Sequence, residues 1–297
     1  MLIDRTPPEP VFIVENWTVA QLWYWWERRG MPVADYTLEG AENWGLLYGT
    51  NLSDPASGRK QLNSDLMDTA SNGGKRIWFK LFALACLMSA GRRMIELRSF
   101  WQRELESRGF WTATESGFEE GTRDLFSQLV ARRIGHQNAS GEDAHFWRRV
   151  FYDMRKIHKL VWQDDFPTTI VNLIRSGRGG SLLDFLKTGS LPGQQPWIGV
   201  FGQSAGSPLF FLIRELCRLG VITDPAVKPM ALFVCTPVRR AMERIGWLPS
   251  ELTNRVDFKS LARLAEALHS KLAADRDFGP RILEYYDMPL LHLGLEG

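Results

Sequence analysis

Along most of the chain, apolar and polar positions recur with the period of a helix. Trp17, Leu22, Trp25 and Trp26 stand among charged residues between a candidate cap, Asn16 or Thr18, and Gly30, which predicts a helix over 17–29. Residues 31–74 are rich in Gly, Asn, Ser, Asp and Pro and predict a loop-rich segment that Gly73-Gly74 ends. From Lys75 to about Arg108 the pattern predicts one or two long helices, interrupted near Ser89-Ala90-Gly91. The pattern breaks over 109–121, a candidate domain boundary. It resumes as a helix from Thr122 to Ile134 and another opened by the capping-box pattern Ser140-Gly141-Glu142-Asp143, running through Phe146, Val150, Met154 and His158. Asp164-Asp165-Phe166-Pro167 marks a turn, Leu182 to Lys187 a short helix, and Ser207-Pro208 the start of a helix over Leu209 to Leu219.

Strand-like stretches are few: Val11 to Val14, Trp197 to Phe201 and Met230 to Val234. Three short strands do not make a sizeable sheet, so the expected fold is mostly α. The chain of 297 residues is long enough for one large or two modest domains. We expect an N-terminal helical and loop-rich extension over 1–115, followed by a helical domain over 116–297.

Composition narrows the classes. Hydrophobic residues at 44% and charged residues at 24% are ordinary for a soluble globular protein, and a net charge of +2 neither requires nor excludes nucleic acid. Twelve tryptophans with 17 Phe and 6 Tyr predict an aromatic-rich core or an aromatic-lined pocket. Arginine doublets recur, as at Arg132-Arg133 and Arg239-Arg240, and fit either solvated helix faces or phosphate contacts. Cys86, Cys217 and Cys235 are odd in number and lack metal-ligand spacing, which argues against a disulfide framework or a zinc site. The apolar run Ile77 to Ala90 carries Lys80 and is too short to span a bilayer, and Met1 to Pro10 is too polar for a signal peptide. The expectation is a cytoplasmic, monomeric protein with no metal or cofactor.

The most informative run is 233–247, Phe-Val-Cys-Thr-Pro-Val-Arg-Arg-Ala-Met-Glu-Arg-Ile-Gly-Trp. It predicts a helix with Thr236 as N-cap, Pro237 as first residue and Gly246 beyond its end. Val238, Met242 and Ile245 share one face, with Arg239, Arg240 and Arg244 beside or opposite them. The run resembles the Val-Asp-Thr-His-Val-x-Arg-x-x-x-Arg-Leu-Gly segment of the helix-hairpin-helix DNA glycosylases. The family's catalytic aspartate falls on Cys235. Three further pieces follow the family's order over residues 122–292. Leu191-Pro192-Gly193 resembles the hairpin turn that offers backbone amides to a DNA phosphate; here Gln195 replaces the second glycine, and Gly202 to Ser207 is an alternative hairpin. Phe126 to Val130 and Ile134 to Ser140 resemble the segment whose polar side chain fills the gap left by a flipped base. That plug would be Gln137, with Asn138 or His136 beside it. At the C-terminus, Tyr285, Tyr286 and Asp287 would stack on and hydrogen-bond the flipped base.

The resemblance implies two helical subdomains with a cleft between them, lined by parts of 122–175 and 190–292. It implies hydrolysis of an N-glycosidic bond in DNA, leaving an abasic site. Positive charge builds on the sugar, so the chemistry needs a carboxylate. Strand-cleaving members use a lysine where this chain has Ser204 or Ser207, which implies a hydrolytic enzyme. With Cys235 in the aspartate's position, the carboxylate has migrated: Asp287 and Glu215 rank first, ahead of Asp164 and Asp165. A thiolate of Cys235 at a helix N-terminus is a further option, against an inert buried cysteine. A bulky modified base, removed in antiviral defence, is the implied target. Against this stands Gly202-Gln203-Ser204-Ala205-Gly206, a literal nucleophile elbow of α/β-hydrolases, with Asp257 and His269 or His292 as formal triad partners. A non-catalytic nucleic-acid-binding helical protein is the third reading.

Overall fold

The computed structural model describes residues 16–38, 41–48, 54–88, 94, 97–98, 101–106, 110–111, 154–163, 165–176, 206–232, 234–248 and 258–296. Among the described residues helix dominates and no strand occurs, as the all-α expectation required.

The first helix, α1 (Val19–Arg28), begins at a reciprocal capping box. Thr18 Oγ1 accepts from the Gln21 amide at 3.2 Å, and Gln21 Oε1 accepts from the Thr18 amide at 2.7 Å. Val19, Leu22, Trp23 and Trp26 form its buried stripe. The segment expected to be loop-rich instead forms α2 (Ala41–Tyr48) and α3 (Pro55–Met67). Its polar residues serve as caps and an outer face: Asp54 accepts from the Ala56 and Ser57 amides at 3.1 and 3.2 Å, while Leu62 and Leu66 are buried. The next helix, α4 (Asn72–Met88), takes Gly73-Gly74 into its first turn rather than starting after them. Ser71 Oγ accepts from the Gly74 amide at 3.0 Å and makes that earlier start possible. From Ile77 to Met88 every side chain of α4 is buried, Lys80 included, so it forms the centre on which α2 and α3 pack. Trp101–Glu106 form a π-helical turn, and residues 154–162 are helical.

The expected turn at Asp164 to Pro167 narrows to Asp165, whose φ of 52° is left-handed; α5 (Phe166–Arg175) starts on the next residue. The later helices are α6 (Gly206–Arg218), α7 (Thr236–Arg244), α8 (Phe258–Ala274), α9 (Gly279–Tyr285) and α10 (Met288–Glu296). Among the described residues of the expected strand over Met230 to Val234, none is in a strand. Pro225–Ala231 wind into a 3-10 helix, and the extended residues after it find no neighbouring strand among the described residues. The N-cap of α7 is Cys235 rather than Thr236, one residue earlier than expected.

One hydrophobic core runs from Val19 to Leu293 and includes residues from both sides of the expected 115/116 boundary. Two direct ties join the chain's beginning to α7. The Trp17 amide donates to the Ile245 carbonyl at 3.1 Å, and the Trp247 indole donates to the Trp17 carbonyl at 2.7 Å. The approach of α10 to α7 depends on a glycine. A Cβ added at Gly294 would sit 1.9 Å from the Pro237 carbonyl oxygen, whereas one at Gly73 would meet only Ser71 Oγ at 3.6 Å.

Gly294→Ala must therefore push the two helices apart, and we expect a loss of roughly 1–3 kcal/mol. Gly73→Ala should be neutral or stabilise by up to about 1 kcal/mol. Urea denaturation of the two variants measures the contrast. Equal midpoints would mean that α7 and α10 do not approach this closely.

Candidate functional site

The polar centre of the fold is Arg214. It lies on α6 inside a run of apolar residues and is fully buried, with its guanidinium 4.9 Å from the Phe211 ring centre. Neighbours i and i+1 on a helix point apart, yet the long Arg214 side chain folds back, and its Nε donates to Glu215 Oε1 at 3.0 Å. Its Nη1 donates to Asp287 Oδ2 at 2.7 Å, and its Nη2 donates to the Tyr36 carbonyl. The remaining Glu215 oxygen, Oε2, accepts from the Leu38 amide at 3.1 Å. The cation thus meets two carboxylates and the Tyr36 carbonyl, and Glu215 ties the Leu38 amide to the same buried group.

Asp287 reaches this position through a backbone reversal. Tyr286 adopts φ 57°, a left-handed conformation that costs a non-glycine residue energy, and the chain re-enters helix at Met288. Burial opposes the charge on Arg214, but Asp287 and then Glu215 more than offset it and hold its pKa above the ordinary range. Burial pushes the Glu215 carboxyl upward, against the pull of Arg214, Arg218 and the Leu38 amide.

Cys235 belongs to the same neighbourhood, since both Asp287 and Arg214 act electrostatically on its thiol. Burial pushes that thiol up to about 12, and the thiol is only 2% exposed. A thiolate favoured by the helix N-terminus is therefore not what forms here: desolvation outweighs the helix field. The three candidates Asp287, Glu215 and Cys235, far apart in the chain, are brought together around Arg214.

The other expected site residues divide into two groups. Tyr285 is half-buried against Trp23, with ring centres 5.7 Å apart. Tyr286 is half-buried under the Arg218 guanidinium at 5.6 Å, and burial raises its hydroxyl to about 12. Arg240 is exposed on α7 and Arg239 half-buried. Asp165 is exposed and pairs with Lys75 at 3.3 Å. Gln137, Asn138, His136, Gly193, Gly202, Ser204, Asp164 and Asp257 lie outside the described residues. Of the hydrolase candidates, His292 is engaged by the Tyr36 hydroxyl at 2.6 Å and by Glu296 at 3.2 Å, while His269 is half-buried on α8. No strand among the described residues supports an α/β-hydrolase sheet.

A second polar group went unrecognised in the sequence. At the start of α4 a cavity of about 560 Å³ is lined by Tyr48, Asp65, Gly73, Arg76, Lys80 and Trp111, among others. Lys80 is 4% exposed, donates to the Leu47 carbonyl at 3.0 Å and pairs with Glu106. Its ammonium stands 5.4 Å from the Trp111 ring centre. Burial lowers the Lys80 pKa, Glu106 opposes that shift and Arg76 adds to it. A lysine inside the apolar run from Ile77, shortly after two glycines, was the available signal. Compared with known protein families, characterised proteins and solved structures, the chain matches none.

Removing the cation at the centre takes the shared guanidinium away from two buried carboxylates. Arg214→Met should cost roughly 3–5 kcal/mol at neutral pH. Buried and without that cation, the carboxyls then have pKa values above those of the unfolded chain. Protonation stabilises such groups, so stability is retained at low pH and lost as pH rises through their raised values. The deficit of Arg214→Met relative to wild type should therefore shrink between pH 7 and pH 4.5. A deficit that stays constant or grows on acidification contradicts the assignment of Arg214 as their shared partner.

Proposed function

We propose that the protein is a hydrolytic DNA glycosylase that removes a flipped-out, bulky modified base and leaves an abasic site, in antiviral defence. The observation that carries the reading is the convergence of Asp287, Glu215 and Cys235. Cys235, which takes the place of the family aspartate in the resemblance, is the N-cap residue of α7, and the two substitute carboxylates are its neighbours through Arg214. In this proposal the sugar lies over the N-terminus of α7, in a cleft between two helical subdomains. Asp287 or Glu215 supplies the negative charge that stabilises the oxocarbenium-like transition state, and water adds to the anomeric carbon as the base departs. Arg239 and Arg240, with backbone amides near Gly193 or Gly202, hold the flanking phosphates; Gln137 and Asn138 fill the vacated stack; Tyr285 and Tyr286 contact the base. The proposed partner is DNA.

One observation favours a second reading, a nucleic-acid-binding protein without catalysis. Both carboxylates are at most 1% exposed and bound by Arg214, so neither presents a free oxygen to a substrate. A single experiment separates the two readings. Purified protein is incubated with DNAs carrying different modified bases, and alkali then cleaves any abasic sites. Glycosylase activity predicts strand breaks on at least one DNA, lost at least a hundredfold in Asp287→Asn whose circular dichroism matches wild type. Tight binding with no breaks on any DNA favours the second reading.

Phosphate contacts carry no sequence information, so Arg239→Glu with Arg240→Glu should weaken binding equally on all DNA sequences and flatten its salt dependence. Filter binding or fluorescence anisotropy at several salt concentrations reads the slope. An unchanged slope would remove α7 from the DNA-facing surface.

A further inference from the structure

The cavity at the start of α4 takes no part in the glycosylase proposal, and its residues are independent of the Arg214 group. Gly73, Arg76, Ile77 and Lys80 follow one another at helical spacing, so one face of α4 forms a wall of the cavity, with Leu47, Tyr48 and Asp65 among the other lining residues. The charges in this space are unequal in their freedom. Asp65 accepts from the Tyr48 hydroxyl at 2.6 Å and from Gln61 at 2.8 Å, and Glu106 is taken by Lys80. Both carboxylates thus have hydrogen-bond donors within the protein, a cation for Glu106 and neutral groups for Asp65.

The groups left over are donors. Arg76 is exposed and has no ion-pair partner among the described residues. Trp111 is 5% exposed and, like four other buried indoles, its N–H has no acceptor among the described residues; of these five it is the one that lines the cavity. Arg76 and Lys80 repel one another, which an anion between them would relieve. The N-terminus of α4, a helix of 17 residues, opens on the same space and adds a positive field. Gly73 keeps that side clear, because a Cβ there would meet only Ser71 Oγ at 3.6 Å. A volume of about 560 Å³ exceeds what a bare phosphate fills, and Leu47 and Ile77 supply apolar wall for an organic remainder.

We infer that this cavity is a binding site for a small phosphate monoester of about mononucleotide size. Its phosphate lies between Arg76 and the first turn of α4, within reach of Lys80, and its organic part lies against Leu47 and Ile77.

The test is isothermal titration calorimetry of the full chain at low ionic strength with three probes: AMP, adenosine and inorganic phosphate. AMP is expected to bind at least tenfold tighter than adenosine, and inorganic phosphate to compete with it. Two variants on exposed positions of α4 keep the fold while changing the site. Arg76→Glu should weaken AMP at least tenfold by reversing the charge, and Gly73→Phe should abolish binding by filling the cavity. Circular dichroism of both should match wild type. The proposal is overturned if AMP and phosphate give no binding up to millimolar concentration, or if adenosine binds as well as AMP. AMP binding that survives both variants overturns it as well. The alkali-cleavage assay for base removal reads different residues, so the two proposals fail separately.

Discussion

A guanidinium sealed in the middle of an apolar helix is tolerable only if every charge and donor around it is matched, and this requirement organises the molecule. Arg214 costs several kcal/mol to remove from water, and contact with Glu215, Asp287 and the Tyr36 carbonyl offsets that cost. These partners come from α6, from the turn before α10 and from the segment after α1. None can be displaced without leaving a buried charge behind. The arrangement is therefore more a device for uniqueness than a source of net stability, because wrong registers of these segments leave Arg214 unpaired.

The same logic explains why the chain's beginning does not behave as an appendage. Tyr36 is joined twice to the C-terminal half, through its carbonyl to Arg214 and through its hydroxyl to His292. His292 in turn meets Glu296, which also pairs with Arg29 at 3.1 Å. Trp17 and Trp247 close a further tie. With α1 packed on α10 and α4 on α6, residues before and after the expected boundary bury one core in common. The abundant aromatics serve mainly this core: Trp26, Trp78 and Trp101 are fully buried, and Trp111 is the one that also borders the α4 cavity.

The two polar centres differ in a way that bears on function. Around Arg214 one cation binds two carboxylates in a sealed core, which favours rigidity. Beside α4 the carboxylates have donors within the protein, whereas Arg76 and the Trp111 indole have no acceptor among the described residues, and the space is open enough for a ligand. Unmatched donors beside an open cavity belong to recognition, whereas matched charges in a sealed core belong to architecture. Any catalytic use of Asp287 or Glu215 requires a substrate group to compete with Arg214 for them.

Local chemistry was legible in the sequence wherever a helix is decided by its own residues. The Thr18 cap, the Gly30 stop, the start of α6 near Ser207 and the apolar face of α7 all follow from side chains within a few positions of one another. The all-α class followed from the same periodicity. Polar composition misled over 31–74, because Asn, Ser and Asp cap and coat α2 and α3 without interrupting their buried leucines. Glu215 and Asp287 could be singled out as carboxylates among apolar neighbours, but their sharing of Arg214 could not, since 72 positions separate them in the chain. Lys80 was visible as a lone charge in an apolar run, yet only packing decided that Glu106, Trp111 and Tyr48 would surround it. Periodicity and capping act over one or two turns, so sequence alone determined the helices whose caps and apolar stripes are local, and not α2 and α3. Which buried charges meet depends on contacts between helices distant in the chain, and that only the tertiary structure decided.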